Sequence, residues 1–148
     1  MARRGRDWAM LSLSQFEHRA GQEALQRARA AGKARKLQKD LRLLAKFVQV
    51  FCKHKHAERA KAPFALKTHD VDSLCRPGPL LCAPCARLLG HAFIKRTRCP
   101  YDPKPMCKKC PTHCYAQHCR DEMREVMKYS GRRLVLTGRL DYLLHLFF

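Results

Sequence analysis

The sequence predicts a mainly α protein: a small domain of three to four helices, stapled by metal, with a proline- and cysteine-rich loop between them. Three observations predict it. Apolar residues recur at helical spacing through Leu37, Leu41, Leu44, Val48 and Phe51. Strand signals are sparse, and proline and glycine break the chain between the helical stretches. Six cysteines fall between Cys82 and Cys114, and most of them lie in polar loop sequence.

Residues 1–33 are rich in arginine and alanine and carry no well-formed apolar face, although Gln22–Ala31 has helix propensity. They are expected to be a basic, disordered arm. The domain proper is placed at 34–133. Its first helix spans 34–53, with the apolar stripe turned to a core and Arg35, Lys39, Arg42, Lys46 and Lys53 on the opposite face. That helix leads into Cys52, His54 and His56. Residues 57–80 look like a linker, broken at Pro63, Pro77, Gly78 and Pro79, and Cys75 within it has no partner at ligand spacing.

Pro84 suits the first turn of a helix running to about Arg96. Cys85, Leu88, Leu89 and Ala92 share one face of it, so a ligand and the core lie on the same side. Between Cys99 and Cys114, four prolines forbid a continuous helix or a central strand. A third helix over 116–129 turns Cys119, Met123, Val126 and Met127 inward, with Asp121 and Glu122 early, where they complement the helix dipole. Ser130-Gly131 is expected to end it. Arg132–Thr137 then reads as extended, and 134–148 as an apolar tail whose residues 140–148 pack back as a short helix.

The chemistry is carried by the cysteines. Cys82/Cys85 and Cys107/Cys110 are both C-x-x-C, the separation that lets one tight turn aim two sulfurs at one ion, and two such pairs complete a four-sulfur shell. The spacer between the pairs is 21 residues. Too few apolar side chains lie in 99–114 to offset the entropy of ordering it, so a bound metal is the economical way to fix the segment. Paired spacing favours Zn2+. The denser Cys99/Cys107/Cys110/Cys114 group, with Cys99-Pro100 and Cys110-Pro111, favours a [4Fe–4S] cluster, although its spacing matches neither common ferredoxin pattern. The choice between them stays open at this point.

Nine cysteines in 148 residues, about 6 %, are too few and odd in number for a disulfide-built scaffold. With neither a signal peptide nor a membrane-spanning run apparent, reduced thiols and a cytoplasmic location are expected. The formal net charge is +19. Each zinc held by four thiolates would take two units from it. The remaining excess suits nucleic acid or an acidic protein as partner, with Arg35, Lys39, Arg42 and Lys46 as the phosphate-facing set. Aromatic side chains for base stacking are missing from that face. A thioredoxin-like enzyme needs βαβ context, and a zinc hydrolase needs a carboxylate base beside an open metal position. The sequence offers neither, so a non-enzymatic metal protein without a small-molecule substrate is expected.

The strings FVQVFCKHKH, LCAPCARLLGHAF, RCPYDPKPMCKKCPTHCY and REVMKYSG occur in that order between about Leu37 and Leu134. Together they resemble the nitrous-oxide-stimulated-promoter family of small cysteine-rich bacterial proteins. The resemblance implies metal ligation by Cys52, Cys82, Cys85, Cys99, Cys107, Cys110 and Cys114, with His56 as an eighth ligand, and a link to nitric oxide or nitrosative stress. It leaves Cys75 and Cys119 as features of this chain. Three departures stand out: a longer spacer between His56 and Cys82, Arg132 where the family continues with proline, and the basic N-terminal arm.

Overall fold

The structure is a computed structural model of the chain and describes residues 13–139. It is mainly helical, as expected. The chain divides into two compact units, Met1–Lys36 and Leu37–Phe148. The elements in order are α1 (Leu13–Lys55), β1 (Ala62–Pro63), α2 (Val71–Leu74), β2 (Leu80–Leu81), α3 (Ala83–Thr97), a single 3-10 turn (Cys107–Lys109) and α4 (Gln117–Leu136).

The arm assigned to 1–33 requires correction where it is described, because α1 already begins at Leu13. Alanine, glutamine, arginine and leucine are strong helix formers, and Glu23–Arg27 adds an i,i+4 pair at 3.7 Å. Residues 21–31 are exposed, so local propensity rather than burial favours the helix there. Residues 1–12 lie outside the described part.

In the second unit the expected stripe of α1 is the core face. Leu41, Val48 and Phe51 are buried, Leu37 and Leu44 partly so, and Ala45 and Phe47 join them. From α3 come Leu88, Leu89, Ala92 and Phe93, and from α4 come Cys119, Met123, Val126 and Leu134. A fully buried Phe47, Leu89 or Phe93 contributes roughly 1.5–3 kcal/mol each through removal from water. Edge-to-face rings join the layers: Phe51 meets Tyr129 of α4 at 5.7 Å, and Phe64 meets Phe93 of α3 at 5.8 Å. Arg96 donates to Asp40 at 2.6 Å, pairing α3 with α1 at a partly exposed edge.

The segment expected to be a linker, 57–80, is more structured than its breakers suggested. It buries Phe64, Val71 and Pro79 and forms one short antiparallel pair, Ala62 opposite Leu81 and Pro63 opposite Leu80. Asp70 caps α2 by accepting from the Ser73 N–H at 3.1 Å. Arg42 donates to the Leu74 carbonyl at 2.8 Å and so attaches the end of α2 to α1.

The end of α4 also departs from expectation. Ser130 and Gly131 are buried within the helix, which runs on to Leu136. Ser130 donates to the Phe47 carbonyl at 2.6 Å, so the pair expected to stop the helix is its contact with α1. The stop is seven residues later, at Gly138, with φ 86°. There the Arg139 N–H bonds to the Leu134 carbonyl and the Gly138 N–H to the Val135 carbonyl, both at 3.0 Å. This is the six-to-one and five-to-two pattern of a Schellman ending, which favours glycine at the left-handed position. Arg132–Thr137 is therefore not extended. The short helix expected over 140–148 lies outside the described residues.

Candidate metal centre

Cys52 and His56 are four residues apart at the C-terminal end of α1, so one turn places both on the same side. The backbone is held there at both levels. The His56 N–H reaches the Cys52 carbonyl at 3.2 Å, and the Lys61 ammonium donates to the carbonyls of His56, Ala57 and Arg59 at 2.9, 2.9 and 3.1 Å. Those carbonyls lie at or just past the helix end, where a cation is favourable. The β1–β2 pair then returns the chain, and the next residue after β2 is Cys82.

Cys82 is the N-cap of α3, Pro84 occupies its first turn, and Cys85 lies one turn on. Helix N-termini favour negative charge, which suits two thiolates. The result is a group in which one ligand atom from each of Cys52, His56, Cys82 and Cys85 lies within 4.8 Å of every other. The His56 Nδ1 is 3.2 Å from the Cys85 Sγ and 3.3 Å from the Cys82 Sγ. The Cys82 N–H donates to the Cys52 Sγ at 3.3 Å. All three cysteines are buried, while His56 is half-buried.

The donor set fits a single tetrahedral ion. Zinc–sulfur and zinc–nitrogen bonds of about 2.3 and 2.0–2.1 Å put sulfur and nitrogen ligands about 3.6 Å apart, close to what is seen. An iron–sulfur cubane would stand its ligands farther off, because iron and sulfide ions lie between them. Burial pushes the Cys85 thiol well above its ordinary range, with the neighbouring Cys82 and Cys52 adding to it. At Cys82 burial also acts upward, but hydrogen bonds from the Cys85 backbone and from the Cys52 and Cys85 thiols prevail and lower it. Burial, and then Arg59, lower His56, so its imidazole is neutral and its lone pair is available near neutral pH.

The nominated ligands thus divide. Cys52, His56, Cys82 and Cys85 come together, so the partner of the first C-x-x-C is the C-x3-H at the end of α1 rather than the second C-x-x-C. Cys99, Cys107, Cys110 and Cys114 are not in the group. Cys99 and Cys110 are half-buried, and Cys107 and Cys114 are exposed. Cys119 is a core thiol and Cys75 is half-buried beside α2. Arg35, Lys39, Arg42 and Lys46 are exposed, and Arg42 is engaged with Leu74. Sequence reasoning did not identify Lys61 or the β1–β2 pair as what positions the site. Two-residue strands and a lysine bonded to carbonyls leave no periodic signal.

Comparison with known proteins bears on the same residues. The sequence profile of a family described as "Nitrous oxide-stimulated promoter" matches residues 35–148, most of the chain and all of the centre. The chain belongs to that family. It is also similar to an Escherichia coli K12 protein described as "Uncharacterized protein YgbA", 44% identical over 49 residues. That stretch is 32% of this chain and 42% of the E. coli protein, so the chain spans less than half the length of the relative it matches. No solved structure matches it. Among the described residues, no helix is long and apolar enough to cross a membrane.

Proposed function

We propose that the family member described here is a non-enzymatic zinc–thiolate protein whose Cys52/His56/Cys82/Cys85 centre responds to nitrosative stress. The observation that carries the reading is the convergence of three buried thiols and one neutral imidazole within 4.8 Å. Bound there, Zn2+ would keep the three thiols ionised and make their integrity a condition of the fold. Cys52 would serve from α1, His56 from just past its end, and Cys82 and Cys85 from the start of α3. Lys61 would hold the end of α1 in place.

The family's description refers to a promoter stimulated by a nitrogen oxide, and thiolates are targets of nitrosating oxides of nitrogen. With dinitrogen trioxide as the agent, a cysteine thiolate attacks one nitrogen, an S–N bond forms and nitrite leaves: RS⁻ + N2O3 gives RSNO + NO2⁻. The nitrosothiol is uncharged and a poorer donor than the thiolate. The half-buried His56 marks the more open side of the group, whereas the sulfurs are covered.

The zinc-loaded chain in aerated buffer with a nitric oxide donor tests this. Loss of a cysteine thiol should release zinc to a chromophoric indicator and lower helical circular dichroism. Retention of zinc and thiols at a dose that fully nitrosates glutathione would defeat it. The second reading is nucleic-acid binding, favoured by the net charge of +19 and the exposed Arg35, Lys39 and Lys46. A steep fall in affinity with salt, abolished by replacing those residues, would support it.

A further inference from the structure

The loop between α3 and α4 has no hydrophobic explanation. Among residues 98–118 whose side chains are described, none is buried. Yet the loop is closed on itself. Tyr101 and Thr112 hydrogen-bond through their hydroxyls. That contact sets Cys99, two residues before Tyr101, and Cys114, two residues after Thr112, on the two strands leaving one closure point. Inside the closure, Cys107–Lys109 forms a 3-10 turn with the Cys110 N–H on the Cys107 carbonyl at 3.4 Å. A single tight turn joining the two cysteines of a C-x-x-C is the shape that turns both sulfurs to one side. His113 takes a left-handed conformation, φ 44°, and redirects the chain into Cys114.

The Nε2 of His91, on α3, is buried without a hydrogen-bond partner, and its ring stands edge-on to Tyr115 at 5.0 Å. Tyr115 directly follows Cys114. A buried polar atom left unpartnered is costly, and a thiolate drawn in beside it would give it an acceptor.

We propose that Cys99, Cys107, Cys110 and Cys114 form a second, all-sulfur site for a thiophilic divalent cation such as Zn2+, separate from the centre at the start of α3. Unlike that centre, it is not gathered in advance. Its sulfurs are outside the compact group, two of them are exposed, and binding must draw the loop together. The cation at this site therefore binds second and leaves first, since part of its binding free energy goes into ordering the loop. The proposal uses none of the four residues of the first centre, so the two readings stand or fall separately.

The test titrates the reduced, metal-free full chain with Zn2+ against a competing chromophoric chelator, while trypsin cleavage after Lys108 and Lys109 is followed by mass spectrometry. The wild type should take up two equivalents, the second at least tenfold weaker, and only the second should slow cleavage in the loop. Cys107→Ser/Cys110→Ser should keep the tight equivalent and the helical signal, lose the weak one, and lose the protection. Cys99→Ser should weaken the second equivalent alone. A wild type that binds only the tight equivalent would overturn the proposal, as would two equivalents in the double variant or a second equivalent that leaves cleavage unchanged. Loss of the tight equivalent in Cys82→Ser with the weak one retained would separate the sites. Failure to bind the tight equivalent at all would count against the first centre and leave the weak one to be judged by the loop variants.

Discussion

Replacing His56 with alanine isolates the contribution of one ligand with little other damage. The imidazole Nδ1 lies 3.2 and 3.3 Å from two of the three sulfurs, so its loss opens one corner of the group. It also removes one edge-to-face contact with Phe51 at 5.4 Å, of the kind that contributes about 0.5–1.5 kcal/mol. Structural zinc sites bind with about 10–16 kcal/mol in total, and an even share for one of four ligands is roughly 2.5–4 kcal/mol. At 1.4 kcal/mol per decade this is a loss of roughly 10²- to 10³-fold in the affinity of the tight equivalent. The assay is chelator competition at neutral pH, with His54→Ala as control because His54 is exposed and outside the group. His54→Ala should bind as the wild type does. If His56→Ala also bound zinc within threefold of wild type, the assignment of His56 as a ligand would be wrong.

Other outcomes test the frame around the centre. Ser130→Ala removes the buried 2.6 Å bond to the Phe47 carbonyl and should cost about 1–2 kcal/mol in denaturant unfolding, with metal stoichiometry unchanged. His91 is lowered chiefly by burial and further by Lys95 and His118, so the unfolded chain takes up a proton there more readily than the folded one. Its contribution is complete above the ordinary histidine pKa of about 6.5 and is lost as pH falls through the lower folded value. His91→Gln should therefore flatten part of the decline in Tm between neutral and mildly acidic pH, and an unchanged slope would contradict this.

Where a single helix face or a short motif decided the outcome, the sequence was readable. The stripe Leu41–Val48–Phe51, the face Cys85–Leu88–Leu89–Ala92 and the pairing of Cys82 with Cys85 follow from periods of three and four or from C-x-x-C, whereas Cys52 and His56 entered the candidate set through the family resemblance. What long-range pairing decided was hidden. Which C-x-x-C meets which partner depends on the Ala62–Leu81 register, and two-residue strands have no period to detect. Ser130-Gly131 carries the same letters whether it ends a helix or lets one pack closely, and the Phe47 carbonyl settles it. The N-terminal helix was missed for the opposite reason. A stretch without an apolar face was read as unstructured, although alanine and arginine favour a helix without one.

Metal analysis joined to a thermal melt tests the central claim most directly. Freshly isolated protein should contain at least one zinc per chain, and a strong chelator should lower the Tm by at least about 10 °C, reversed by adding zinc back. A metal-free chain with the same helical signal and the same Tm, its nine cysteines reduced and open to titration, would show that something other than a sulfur-bound ion holds the helices together.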